Sequence, residues 1–267
     1  MDVFGERLPS CSTQRLKGSL VVDVLRYHDI SESTHRILNP LSAEKQQLIG
    51  DLCLLTPGMR QLDLACGKGE MLCQNARRHG IVGVGVDLYP PFVELANQRT
   101  RELGVENSVT FVVGDASRPD LEAGAFDVVS CIGATWIGGG LGGTLRLMTD
   151  WVKPGGWLLV GEPFWIEVPD ASLRATVEVG EGFADLGGTL DRFDAAGTEL
   201  VEMVLADADD WDRYSASQWR NVADWLLGHA NDADADAVRE TRDEERRSYL
   251  AWQRRCLGWG VFLLRPQ

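Results

Sequence analysis

The chain has 267 residues, 44% of them hydrophobic, which is enough for one large domain with a sizeable buried core. A formal net charge of −14 argues against a polyanionic partner such as DNA or RNA, and the fourteen acids against four bases between Glu199 and Glu245 read as a solvated face. No apolar run approaches the ~20 residues of a membrane span, the first thirty residues hold no signal-like core, and six scattered cysteines point to free thiols in a reducing cytoplasm rather than to disulfides or a zinc site.

Residues 12–55 read as helical, with Leu16, Leu20, Val24 and later Leu48, Leu52, Leu55 at helical spacing. Asn39-Pro40 interrupts them, and Ser42 ahead of Lys45-Gln46 marks a helix start. After the turn Thr56-Pro57-Gly58, short apolar strands alternate with amphipathic helices. Strands are expected at Arg60–Leu64, Ile81–Val86, Val109–Val113, Phe126–Ile132 and Trp157–Gly161, with helices near Gly69–Gly80, Pro91–Leu103 and Thr144–Trp151. Lys153-Pro154-Gly155-Gly156 reads as the tight turn into the fifth strand. Beyond Pro163 the pattern predicts a mainly helical Ser172–Ala196, a strand Thr198–Leu205, a helix Ser217–Gly228, a helix from about Asn231–Ala237 to Cys256, and a closing strand Gly258–Leu264. Such alternation implies a mainly parallel sheet with helices on both faces. One domain is the economical organisation: an N-terminal helical cap over residues 1–56, a core over 57–165, and the rest of the sheet with helical additions over 166–267.

The stretch Gln61-Leu62-Asp63-Leu64-Ala65-Cys66-Gly67-Lys68-Gly69-Glu70 carries the chemistry. A strand–glycine–helix turn meets its ligand with backbone N–H groups at the positive end of a helix. A dinucleotide fingerprint would place glycines at 65, 67 and 70, but Ala65 and Glu70 stand at two of those positions. Asp63 would repel a pyrophosphate and attract the ammonium of a methionine moiety. Asp87, ending the second strand, can accept both hydroxyls of a ribose; Asp115, after the third, can accept from an adenine amino group beside the backbone N–H of Ala116. Leu88 and Gly114 flank these two acids. Three acids at successive strand ends converge on one crevice.

These residues resemble the class I S-adenosylmethionine (SAM)-dependent methyltransferases. "LDLACGKGE" looks like that family's first motif, with Asp63 as its acid, Cys66, Gly67 and Gly69 in its loop, and Ala65 where the first glycine usually stands. "GVGVDLYP", "GDAS", "FDVVSCIGA" and "WVKPGGWLLVGEP" resemble the motifs that follow, so the likeness spans about residues 45–165. One methyl group in place of a glycine hydrogen at Ala65 is a mild departure. The resemblance implies a Rossmann-like sheet of seven mostly parallel strands with the last antiparallel, Gly258–Leu264 pairing with Thr198–Leu205, and helical additions over the site. It implies SAM as cofactor, S-adenosylhomocysteine (SAH) as product, and Ile132 and Gly133 as a wall beside the cofactor. "CIGATWIGGG" and "GEPFW" look most like bacterial small-molecule methyltransferases, so a small acceptor methylated on O or N is expected, with neither nucleic acid nor membrane as partner. A SAM-binding regulatory protein without turnover is the alternative, and a nucleotide-dependent oxidoreductase a weaker one.

Acceptor residues are expected past the fourth and fifth strands and on the N-terminal cap. Trp136 is either an acceptor wall or a packed loop anchor, and Trp165 leaves the fifth strand toward the same mouth. Glu162 either orients an amine, serves as base, or caps a loop. Tyr27, His28, His35 and Arg36 lie in "RYHDISESTHRILNP": Tyr27 to pack over the cofactor, Arg36 to meet its carboxylate, and one histidine, His35 foremost, either to act as base or to stand exposed on a helix. Lys68 reads as a solvated loop residue. Among the C-terminal tryptophans, Trp219 shares a helical face with Val222 and Leu226, which favours core packing over an aromatic cage.

Overall fold

A computed structural model of the chain describes residues 22–177 and 182–267. Seven strands form one sheet in the order β3-β2-β1-β4-β5-β7-β6. They are β1 (Arg60–Leu64), β2 (Val82–Asp87), β3 (Val109–Val113), β4 (Phe126–Ile132), β5 (Val152–Trp165), β6 (Thr198–Leu205) and β7 (Leu257–Pro266). Strands β1 to β5 pair in parallel, and β7 inserts antiparallel between β5 and β6. This is the seven-stranded, mostly parallel arrangement with an antiparallel last strand expected from the sequence.

Strict alternation along the strands divides the core between the two faces. Leu62 and Leu64 of β1, Val129 and Cys131 of β4, and Leu158 and Val160 of β5 pack on one face against α5 (Leu141–Thr149) and α7 (Leu186–Ala195) through Leu141, Leu145, Met148 and Phe193. Val128, Trp157 and Leu159 face the other way, toward α2 (Ala43–Leu52), α3 (Glu70–His79) and α4 (Pro90–Leu103) through Ile49, Leu72, Ala76, Val93 and Ala96. Gln61 and Asp63 of β1 fall on that second face, where two more apolar residues would ordinarily stand.

Several expectations are corrected. Of the helical stretch 12–55, Leu16 and Leu20 lie outside the described residues; the rest forms α1 (Val24–Ser31) and α2, with residues 32–42 irregular between them. Ser42 does cap α2, accepting from the Lys45 N–H at 3.2 Å. The turn 153–156 is a bulge inside β5, since Phe126 pairs with Val152 and Val128 with Trp157. β5 also runs on to Trp165, because β7 continues to pair with it through Glu162↔Gly260 and Trp165↔Leu257. Ser172–Ala196 is not one helix: the four-residue α6 (Ala171–Arg174) precedes α7. The next helix, α8 (Ala208–Gly228), starts nine residues before Ser217 because Asp207 and Asp210 form a capping box. α9 (Ala235–Ser248) continues through a π-helical turn, Tyr249–Gln253, into the short α10 (Arg254–Cys256). Among the described residues no helix is long and apolar enough to cross a membrane.

Candidate active site

The chain turns from β1 into α3 through two left-handed glycines, Gly67 (φ 54°) and Gly69 (φ 69°). A Cβ on Gly69 would sit 2.3 Å from the Phe111 ring, so the backbone there is packed directly on β3. Ala65 is left-handed as well, with φ 55°. The departure from glycine is therefore conformational, not only a matter of one methyl's room: a non-glycine residue in this region costs about 1–2 kcal/mol.

Asp63 is 4% exposed, and its carboxylate accepts a side-chain hydrogen bond from Ser130 Oγ at 2.7 Å. Burial pushes its pKa up to about 7, the Ser130 bond pulls it down, and the neighbouring Asp87 charge pushes it up further. Asp87, at the end of β2, braces the glycine turn: Oδ2 accepts the Gly67 N–H at 2.8 Å and Oδ1 the Tyr89 N–H at 2.9 Å. Burial raises its pKa too, against those backbone bonds. Asp115 is exposed after β3; its Oδ1 accepts from both the N–H (2.8 Å) and the hydroxyl (2.7 Å) of Ser117, which hold its carboxyl below the ordinary range. Leu88 is exposed beside Asp87, and Ala116 is buried beside Asp115. Ile132 ends β4, and Gly133 follows with φ 83°. Trp259 of β7, which no local signal marked, lies behind them: a Cβ on Gly161 would come within 2.8 Å of its ring.

Lys68 overturns the expectation of a solvated side chain. It is 3% exposed, and Nζ donates to the carbonyls of Glu32 (2.6 Å) and His35 (3.1 Å) while lying 5.5 Å from the centre of the Phe92 ring. Burial lowers its pKa, opposed by the charges of Glu32 and Asp29. The side chain of Glu32 is itself buried, accepting from Tyr214 Oη and from Gln218 Nε2 at 3.1 Å, with His28 Nδ1 3.7 Å away. Lys68 thus pins the irregular segment 32–42 onto the glycine turn.

His35 lies within this clamp. The Ser217 hydroxyl has carbonyl acceptors at Arg213 (2.8 Å) and Tyr214 (3.0 Å), so Ser217 Oγ accepts from His35 Nε2 at 2.5 Å. That bond puts the ring proton on Nε2 and leaves a lone pair on Nδ1, which is buried with no hydrogen-bond partner among the described residues. Burial lowers the His35 pKa, opposed by the Glu32 charge and assisted by that of Lys68.

The other expected acceptor residues are dispersed. Trp136 is exposed on the 3₁₀ turn Thr135–Gly138 after β4, and Glu162, buried within β5, accepts from the Thr135 hydroxyl at 2.7 Å. Trp165 is buried against Phe183 and Trp252 rather than leaving the strand. Tyr27 is turned to the C-terminal helices: Oη donates to Glu245 at 2.7 Å and the ring packs with Val222 and Val238. Arg36 pairs with Glu102 of α4 at 3.1 Å. Trp211 and Trp219 pack against Tyr249, and Trp225 stacks on His229, so these rings have partners other than Trp136. The described cysteines are free thiols, and Cys11 lies outside the described residues.

A glycine turn braced by the acid at the tip of β2, with a buried acid on β1 ahead of it and a sheet ordered 3-2-1-4-5-7-6, is the architecture of the class I SAM-dependent methyltransferases, and this chain belongs to that family. The sequence model of the methyltransferase domain matches residues 62–156. The chain is 44% identical to a SAM-dependent methyltransferase from Geobacter sulfurreducens crystallised with SAH, covering 92% of this chain and 100% of that one with a TM-score of 0.86. A SAM-dependent methyltransferase from Thiobacillus denitrificans, also with SAH, is 42% identical over 92% of this chain and 100% of that one, TM-score 0.84. The uncharacterized protein YjhP of Escherichia coli (strain K12) is 42% identical over 246 residues, 91% of this chain and 99% of its own length. The protein is a SAM-dependent methyltransferase, with SAM as cofactor and SAH as product.

Proposed function

We propose that the enzyme methylates an O or N atom of a small molecule, with His35 as the group that takes the acceptor's proton. In this reading Asp63 meets the ammonium of SAM, Asp87 its ribose hydroxyls, and Asp115 with Ala116 its adenine, while the turn Ala65-Cys66-Gly67 and Gly69, with Leu88, Gly114, Ile132 and Gly133, lines the cofactor. The acceptor enters between Trp136 and the segment held by Lys68. Methyl transfer is an in-line displacement: the acceptor lone pair forms the new bond to carbon, the C–S bond breaks, and SAH leaves as a neutral thioether. Protein acceleration comes from alignment and water exclusion, and an O-acceptor also sheds a proton, to His35 Nδ1.

The observation that carries this reading is the buried Nδ1, without a partner among the described residues, of a histidine whose own carbonyl is tied to the cofactor turn by Lys68. Ser217 fixes the tautomer, and burial keeps the ring neutral near pH 7. Glu162 supports the loop that carries Trp136 through its bond to Thr135. The net charge of −14 supports a small acceptor over a nucleic acid. The test is a screen of phenols, carboxylates and amines with methyl-labelled SAM, repeated on His35→Gln. For an O-acceptor, His35→Gln should lower kcat by about 10²–10⁴-fold and abolish the acidic limb of the pH–rate profile while SAH affinity stays near wild type. Unchanged kcat with the acidic limb intact would remove His35 from this role.

A further inference from the structure

Beneath Asp63 runs a line of polar side chains that the cofactor contacts do not require. Gln61 and Ser130 are fully buried and Asn75 is 3% exposed. They come from β1, β4 and α3, and Ser130 is the direct cross-strand partner of Asp63. Asn75 Nδ2 donates to Gln61 Oε1 (3.0 Å), Gln61 Nε2 donates to Ser130 Oγ (3.2 Å), and Ser130 Oγ donates to Asp63 Oδ1 (2.7 Å). Each bond points the same way, so the aligned dipoles polarise one another and end on the carboxylate. We propose that Asn75, Gln61 and Ser130 are positioning residues that hold the Asp63 carboxylate, in orientation and as the anion, for the ammonium group of SAM.

The proposal rests on the reading that Asp63 meets that ammonium. A hydroxyl has one proton, and Ser130 has a second acceptor within reach, the Leu62 carbonyl at 3.1 Å. The Gln61 amide occupies a lone pair of Ser130 and strengthens the proton it gives to Asp63. Three buried polar side chains, two on the sheet and one on α3, in an otherwise apolar layer each carry a desolvation cost, which folding alone would avoid with apolar residues. Anion stabilisation is needed here because the neighbouring groups do not supply it. Asp87 is a like charge, and the thiols of Cys66, Cys73 and Cys131, all close enough to feel Asp63, are pushed above their ordinary range by burial and stay neutral.

The test is calorimetry of SAH binding from pH 5.5 to 8.5 for wild type, Ser130→Ala, Ser130→Cys, Gln61→Met and Asp63→Asn. Wild-type affinity should fall about tenfold per pH unit below the Asp63 midpoint, since the protonated acid must ionise to bind. Ser130→Ala should move that midpoint upward by about one unit, weakening SAH about tenfold below it. Ser130→Cys, which keeps the volume but donates weakly, and Gln61→Met should shift it the same way by less; these carry the test if the alanine variant does not fold. Asp63→Asn should bind weakly with no such pH dependence. An unmoved midpoint in both Ser130 variants, alongside weak binding by Asp63→Asn, would reduce the chain to core packing. Wild-type affinity in Asp63→Asn would instead overturn the cofactor assignment on which the proposal stands.

Discussion

Replacing Asp63 by Asn should stabilise the unliganded protein at neutral pH while weakening the cofactor. Burial raises the folded-state pKa to about 7 from an ordinary 3.8, a gap of about three units. At ~1.36 kcal/mol per unit, holding the ionised acid in the fold costs up to ~4 kcal/mol above pH 7. The sign follows from the direction of the shift. The folded state binds this proton more tightly than the unfolded chain, so the protein loses stability as pH rises from about 4 to about 7, and the full cost is present above 7. Asn keeps an oxygen for the Ser130 hydroxyl but brings an NH₂ that needs a partner, at ~1–3 kcal/mol. A net gain of ~1–3 kcal/mol at pH 8 is expected, vanishing between about pH 4.5 and 6 and reversing below. Urea denaturation of both proteins at pH 4.5, 6 and 8, without SAM or SAH, measures it. A stability difference that does not change with pH would refute the reasoning.

Ala65→Gly should relieve a left-handed alanine in the fold while adding freedom to the unfolded chain, so that thermal stability stays level or rises by up to ~1 kcal/mol; a clear fall in Tm would mean the methyl packs usefully. Lys68→Met should remove two charge-assisted bonds, each ~1.5–3 kcal/mol, and loosen residues 32–42. Hydrogen exchange should quicken in that segment and not in β4 or β5; uniform exchange would remove the clamp. Asp87→Ala should weaken SAH by ~1–3 kcal/mol and also free the Gly67 N–H, so that calorimetry and exchange at the glycine turn change together. Weakened binding with an unaltered turn would confine Asp87 to a ligand contact.

Local signals determined much of this protein. Alternating apolar residues set β1 and β4 to the residue, and the left-handed glycines at 69 and 80 bound α3, because strand faces and turn geometry depend on neighbours in the chain. The positions of the acids at 63, 87 and 115, at or just past the C-terminal ends of β1, β2 and β3, were legible for the same reason, because the apolar run of each strand says where it ends. Only the tertiary structure decided what stands around them. Lys68 looked like any loop lysine until the fold brought the carbonyls of Glu32 and His35 to its tip, and the His35 tautomer depends on Ser217, far along the chain. Ser130 in "FDVVSCI" and Gln61 in "RQLDL" were visible as polar breaks in apolar strands, but their use follows from the pairing of β1 with β4 and the packing of Asn75 over both. The continuation of β5 through Trp165 likewise came from β7, a strand nearly a hundred residues later. Hydrogen-bond partners joined by long loop closures leave no periodic trace in sequence, whereas turns and alternation do.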